Sequence, residues 1–159
     1  MSTGFDSEAF RRVMGGFATG VSVVTAASTA GVFGITVNSL TSVSLEPVWL
    51  SIGLTPDRPV TAAIEETGRF VVNLLDESQE QLARHFAARK HSSGFSNVAH
   101  QMSDSGVPVL KSGLGYLQCE VVRIDDGGDH RTFVAHAVDG ESREGKPLLY
   151  FRGRYRSLQ

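Results

Sequence analysis

The sequence predicts a mainly β domain with a few helices, an α+β fold whose strands run mostly antiparallel. Three observations carry this. About seven segments show β-branched or alternating apolar patterning. Only two or three segments show a helical period. Those helices are not interleaved strand by strand, as a parallel βαβ sheet requires, so an antiparallel barrel or α+β arrangement is favoured. The length of 159 residues fits one domain, 1–159, and a chain of this size buries enough surface to fold without a covalent or metal staple.

The first helix is expected over about Ser7–Ala18. Asp6 can cap its free N–H groups, Phe5 and Phe10 fit a hydrophobic staple, and Phe10, Val13, Met14 and Phe17 recur at helical spacing. Val21–Ala27 and Val32–Val37 then read as a hairpin around the Ser28–Gly31 turn. Val48–Leu54 alternates and reads as a strand. Pro59–Thr67 is a short helix with Pro59 in its first position and Gly68 as its stop. Arg69–Leu75 is a strand, and Glu77–Lys90 a helix with acids at its start and Lys90 at its end. His91–Val107, rich in Ser, Asn and Gly, reads as a loop excursion. Leu114–Asp126 and Arg131–Asp139 are strands joined through Gly127-Gly128, and a last strand covers about Leu148–Arg156.

Composition excludes several classes. A formal charge of −2 argues against a whole-domain grip on nucleic acid. The one cysteine, Cys119, permits neither an intramolecular disulfide nor a zinc site with two thiolates, and reads as a packed thiol in a reducing, cytoplasmic compartment. No apolar run approaches the ~20 residues of a membrane helix, and the acidic N-terminus lacks a secretory apolar core. Gly140–Lys146 matches most of a phosphate-binding P-loop, but Pro147 stands where the hydroxyl belongs and a strand follows, so it reads as a polar hairpin turn. Gly113-Leu114-Gly115 begins a dinucleotide fingerprint that Gln118 breaks. His85, His91, His100, His130 and His136 form no metal-ligand spacing, so no metal site is expected.

Three segments carry chemical information. Between Gly34 and Ser44, six hydroxyl or amide side chains (Thr36, Asn38, Ser39, Thr41, Ser42, Ser44) fall in nine positions. Such a curved turn cradles a phosphate without net charge, or is a polar loop between strands. Thr55–Pro59 places Arg58 at a helix start with Thr61 in its first turn, which is either an anion site or an ordinary capped turn. Asp129-His130 opens a strand. The carboxylate either orients the imidazole for a polar or hydride-transfer role, or the histidine simply ends a turn in water.

Five stretches, taken in order, resemble the short-chain flavin reductases, the reductase components of two-component flavin monooxygenases. They are Phe17-Ala18-Thr19-Gly20-Val21 through Val24-Thr25, Gly34 to Pro47, Phe70-Val71-Val72-Asn73-Leu74-Leu75, Gly128-Asp129-His130, and Pro147 to Tyr155. The resemblance runs from about Phe10 to Leu158, and its most specific parts are the second and fourth stretches. It implies an FMN-binding split β-barrel with two or three flanking helices, usually a homodimer with flavin near the interface. It also implies NADH- or NADPH-dependent reduction of FMN or FAD. The reduced flavin would go to a separate monooxygenase as a diffusible species or through transient contact, with no nucleic acid or membrane partner.

Carried over by position, Thr36, Val37, Asn38 and Ser39 would line the isoalloxazine, largely through backbone groups, and Thr41 and Ser42 would continue toward the ribityl chain and phosphate. Ser51, Ile52 and Gly53 would form the adjacent wall, Arg58 and Thr61 would help hold phosphate, and Phe86, Ala87 and Lys90 would close the site. His130 would face the nicotinamide, with Arg154 and Tyr155 nearby. Many relatives carry serines and a threonine where this chain has Asp57 and Arg58, which leaves FMN against FAD open. The chemistry resides in the cofactors, so the protein needs to stack two rings at ~3–3.5 Å and offer N–H donors, not an acid–base dyad. His130 is therefore expected to place the nicotinamide rather than move a proton. The other readings are a non-catalytic flavin carrier or sensor, and a pyridoxamine-phosphate oxidase-like oxidase, against which Gly128-Asp129-His130 counts.

Overall fold

Helix α1 (Ser7–Met14) begins where its cap dictates, with the Ala9 N–H donating to the Asp6 carboxylate at 2.8 Å. It stops at Gly15-Gly16, short of the expected Ala18, because glycine carries the largest backbone-entropy cost in a helix. This computed structural model describes residues 4–91 and 93–159, the His91 side chain excepted. Residues 1–3 of the N-terminal segment, and Ser92 and the His91 side chain of the excursion, lie outside the described residues.

Strand β1 (Thr19–Gly20) precedes the hairpin of β2 (Ser22–Ser28) and β3 (Gly31–Val37). Strand β4 (Thr41–Leu45) follows in a segment the sequence reads as loop, and turns at Glu46-Pro47, a cis peptide, into β5 (Val48–Leu54). Helix α2 (Pro59–Thr67) has Pro59 in its first turn and ends on left-handed Gly68 at φ 69°. Strand β6 (Arg69–Leu74) follows. The helix expected over 77–90 comes in three pieces: a 3₁₀ turn Glu77–Gln79, α3 (Glu80–Ala87) and a 3₁₀ turn Arg89–His91. An Asp76/Gln79 capping box starts the first, and extended Ala88 (ψ 126°) breaks off the last.

The expected excursion is partly ordered as β7 (His100–Met102), paired with β8 (Pro108–Leu110). The long strands β9 (Gly115–Gly127) and β10 (His130–Ser142) form the hairpin expected at Gly127-Gly128. The single strand expected at the C-terminus is a hairpin, β11 (Leu149–Phe151) and β12 (Arg154–Arg156). Arg152 (φ 48°) and Gly153 (φ 73°) are both left-handed, the pattern of a tight two-residue turn.

Seven strands form one sheet in the order β3-β2-β6-β9-β10-β5-β4, every pair antiparallel. The mainly β, antiparallel architecture is as expected, but the sheet is not closed into a barrel, for β3 and β4 remain its two edges. The Ser39 hydroxyl, in the link between them, donates to the Gly53 C=O at 3.0 Å and accepts the Gly53 N–H at 3.1 Å. That clamp carries the chain across to β5, so β4 pairs with β5 instead of returning to β3.

The continuous apolar run of β2 has a direct cause. Val24 packs into one core with Ile52, Ile64, Phe70 and Phe133, while Val23 packs into another with Leu75, Phe86, Phe95 and Leu148. Successive strand side chains point to opposite faces, so a strand buried on both must be apolar throughout. A polar hub pins the excursion to the sheet. The Asn73 amide donates to Val23 C=O at 3.0 Å and accepts the Leu110 N–H at 2.9 Å, and the Thr25 hydroxyl donates to Pro108 C=O at 2.6 Å. Among the described residues no helix is long and apolar enough to cross a membrane.

Candidate functional site at the β3–β4 crossing

The crossing from β3 to β4 is polar because it lies between hollows rather than in the core. On one side a cleft of about 710 Å³ separates Asn38–Ser42 from Phe10, Met14 and Phe17 at α1 and from Thr19-Gly20. On the other, a cleft of about 210 Å³ is bounded by Thr36, Val37 and Asn38, by Ala87 at the end of α3, and by Tyr150 and Tyr155 of the C-terminal hairpin. Asn38 also lines a third, more apolar hollow of about 240 Å³ with Leu40, Leu74 and Leu148. Thr36, Val37, Asn38, Ser39, Thr41, Ser42, Ala87 and Tyr155, all singled out in the sequence, thus come together around one crossing.

The polar side chains of this stretch divide into two groups. Thr36 donates to the Ala83 C=O of α3 at 2.6 Å, and Ser39 is engaged twice with Gly53. Those side chains hold the crossing in place. Asn38, Thr41 and Ser42 are exposed. Tyr155 is half-buried against Tyr150 at 5.3 Å between ring centroids, with the Arg84 guanidinium 4.9 Å from its own centroid. Burial, and then Tyr150, raise its hydroxyl above the usual tyrosine range.

Several expected residues lie elsewhere. Phe86 is fully buried behind the crossing, its ring centroid 5.0 Å from that of Phe95 at a tilt of 47°, and cannot close a ligand site with its ring. Ile52 faces the core, fully buried, because it alternates with Ser51 and Gly53 along β5. Thr61 is fully buried and its hydroxyl donates to Thr55 C=O at 2.8 Å, a bond internal to the turn. Lys90 is exposed and lines neither cleft, and exposed Arg154 alternates with Tyr155 and points to the opposite face of β12. His130 lies at the Gly53 end of β5 but lines neither cleft. Its Nδ1 is 2.7 Å from Asp129 Oδ1, and this contact is the chief cause that holds the exposed Asp129 carboxyl below its ordinary value.

A second polar cluster stands at the start of α2. Arg58 occupies the N-cap position without a side-chain cap bond, and its Nε is buried without a hydrogen-bond partner among the described residues. Burial lowers its guanidinium pKa, and the nearby charge of Arg89 lowers it further. Arg89 is paired with exposed Asp57, whose carboxyl is held below the usual range by the Arg89 hydrogen bond first and by Thr55 next. A buried Nε–H without a partner beside a second guanidinium suits an oxyanion such as a phosphate. The sequence picks out Arg58 but passes over Arg89 in favour of its neighbour Lys90. The only sequence signal for Arg89 is its place in the basic run Arg89-Lys90.

The free chemistry of the other ionisable candidates is limited. Cys119 is buried, and desolvation pushes its thiol up to about 12, which leaves no thiolate for catalysis. Among the described residues no group of three or more His, Cys, Asp or Glu side chains is placed to hold a metal.

Residues 14–159 match the family model described as the flavin reductase like domain. The chain is 39% identical to the reductase component of 4-nitrophenol 4-monooxygenase/4-nitrocatechol 2-monooxygenase of Rhodococcus opacus, over 94% of this chain and 80% of that one. It is 33% identical to FMN reductase (NADH) SmoA of Agrobacterium fabrum, over 96% of this chain and 86% of that one. Among solved structures, Streptomyces globisporus C-1027 NADH:FAD oxidoreductase SgcE6, in complex with NAD and FAD fragments, aligns with a TM-score of 0.90 and 34% identity over 97% of this chain and 93% of that one.

Proposed function

The chain belongs to the flavin reductase like domain family, and from that membership we propose that it is an NAD(P)H-dependent flavin reductase that supplies reduced FMN or FAD to a separate monooxygenase. The observation that carries this is the family match over residues 14–159, joined to relatives named as a monooxygenase reductase component and an NADH-dependent FMN reductase. NADH is the donor named for SmoA and SgcE6 and the donor proposed here. The same match supports taking 1–159 as one domain.

Flavin and nicotinamide, when bound, supply the hydride chemistry between them. The chain's own residues supply position. Thr36 and Ser39 fasten the crossing to α3 and β5, so backbone groups of Val37 to Ser42 are presented rigidly to a ring system in the flanking clefts. Ala87 and Tyr155 wall the smaller cleft together with the crossing's Thr36 to Asn38. Phe86 contributes from behind, as a buried prop for Gly34, rather than by contact. Arg58, assisted by Arg89, holds the phosphate end, and its orphaned Nε is the observation that fits a phosphate to this place. Thr61 shapes the turn that presents Arg58. His130, oriented by Asp129, is assigned to the nicotinamide amide.

A homodimer completes the proposal. Phe10, Val13, Met14 and Phe17 of the α1 region are each at least 47% exposed, and this stripe flanks the larger cleft. A second copy that covers it would remove apolar surface from water and enclose the site. Closure of the split barrel and a cytoplasmic location belong to the same proposal. Delivery to the monooxygenase is by diffusible flavin or transient contact.

The test is NADH consumption by the purified protein with and without excess FMN or FAD. Consumption that saturates with added flavin establishes a reductase that treats flavin as substrate. Consumption without added flavin establishes a tightly held flavin. No turnover with any flavin and either nicotinamide overturns the reading in favour of a non-catalytic flavin carrier.

A further inference from the structure

Arg89 does two things at once at the start of α2. Its charge lies close enough to Arg58 to lower that guanidinium's pKa, and its NH2 group is ion-paired with Asp57. Arg58 has a buried Nε with no partner among the described residues, so one hydrogen-bonding position at this cluster is unfilled while the adjacent guanidinium is already engaged. A bound phosphate would meet both guanidinium groups and a carboxylate of its own sign.

We propose that Asp57 is an internal competitor for the flavin phosphate: it holds Arg89 in the absence of flavin, must yield that guanidinium to bind flavin, and thereby weakens flavin retention. This rests on the reading of Arg58 and Arg89 as the phosphate-holding pair. The consequence follows from charge alone. Without Asp57, a phosphate meets two uncompensated guanidinium groups instead of one beside the neutralised Arg89–Asp57 pair, and nothing has to be displaced. The side chains of Arg89 and Asp57 are 64% and 55% exposed, so the pair is solvent-screened and weak enough to open on each binding event. Asp57 thus biases the protein toward releasing flavin, as a protein that hands flavin to another enzyme requires.

The residue lies on the surface, one position before the N-cap of α2, so Asp57→Asn preserves its shape and its bond from Thr55. The experiment measures dissociation constants of the full chain for FMN, FAD and riboflavin by flavin fluorescence quenching, in the wild type and in Asp57→Asn, Asp57→Ser, Arg58→Gln and Arg89→Gln. Both Asp57 variants are expected to bind FMN about two- to fivefold more tightly, a gain of the size an opened surface ion pair allows. Riboflavin, which lacks the phosphate, is expected to bind unchanged, and the FMN gain to shrink in high salt. In an Arg89→Gln background the Asp57→Asn gain is expected to shrink to the part that comes from the Asp57 charge beside Arg58. FAD tests whether the diphosphate responds as the monoester does.

Unchanged or weaker FMN binding by Asp57→Asn and Asp57→Ser overturns the proposal, as does an equal tightening of riboflavin. If Arg58→Gln and Arg89→Gln weaken FMN but not riboflavin while the Asp57 variants do nothing, the phosphate site stands and only the competition fails. If neither arginine variant alters FMN binding relative to riboflavin, the phosphate-site reading itself fails.

Discussion

Replacing Asn73 with leucine isolates the buried hub that fastens the excursion to the sheet. Asn73 is 1% exposed and engages on both ends of its amide. Its Nδ2 donates to Val23 C=O at 3.0 Å and to Thr25 Oγ1 at 3.3 Å, and its Oδ1 accepts the Leu110 N–H at 2.9 Å. Leucine keeps the approximate volume and removes all three. The Leu110 N–H, on a residue 1% exposed, is then buried without its acceptor. Such an orphan costs about 1–3 kcal/mol, and each of the other two lost bonds about 0.5–1.5 kcal/mol more, so Asn73→Leu should cost about 2–6 kcal/mol. Against a typical total of ~5–15 kcal/mol this is a large fraction. Urea unfolding followed by Trp49 fluorescence, at fixed protein concentration, should show the midpoint falling ~1–3 M with an unchanged slope of ~2 kcal/mol/M. Thr25→Val, which removes the 2.6 Å bond to Pro108, should cost about 1–3 kcal/mol. The double variant should fall short of additivity, because both residues hold the same segment and each other. A loss below about 1 kcal/mol for Asn73→Leu, or strict additivity with Thr25→Val, refutes the hub.

Three further predictions follow from the same packing and site geometry. A Cβ added at Gly34 would stand 2.8 Å from two ring carbons of fully buried Phe86 and 3.3 Å from Phe95, so Gly34→Ala should lose about 1–3 kcal/mol in thermal unfolding, and Phe86→Leu in that background should recover part of it. Cys119, 2% exposed and with a thiol pushed up to about 12, should resist a thiol-specific reagent in the native protein and react once per chain after denaturation; rapid native labelling contradicts its burial. His130→Ala should raise the KM for NADH more than it weakens flavin binding, and an effect confined to flavin affinity would remove His130 from the nicotinamide site.

Most of the fold was legible because burial and local geometry agree along the chain. Val48–Leu54 and Pro59–Thr67 carry alternation and paired Pro and Gly signals, and both elements stand at the expected residues. Where the two part company, the sequence is silent. Strand β4 is an edge strand, exposed at four of its five residues, so no apolar stripe marks it; its hydrogen bonds to β5 are what make it a strand. The helix expected over 77–90 contains no glycine or proline, yet Ala88 is extended and divides it. The C-terminal hairpin turns on Arg152 at φ 48°, a conformation non-glycine residues adopt uncommonly, so only Gly153 signals it.

The site shows the same division one level up. A run of hydroxyls in sequence counts donors but not what they are already bonded to. Thr36, Ser39 and Thr61 each give their hydroxyl to a backbone carbonyl, and only the folded chain reveals it. This changes what Thr36 and Ser39 do without removing them from the crossing, and leaves Thr61 a part of the turn before α2. A side chain that bonds a ligand directly must be released and reset at every turnover, whereas one that fastens the backbone leaves the ligand's partners fixed between turnovers. For a protein whose proposed task is to bind and give up flavin repeatedly, fastened hydroxyls under a backbone platform keep the site formed while flavin is away. The proposed phosphate end is the counterpart: Asp57 and Arg89 lie 32 residues apart, and in the proposed competition it is their meeting in space that would make that end yielding rather than fixed.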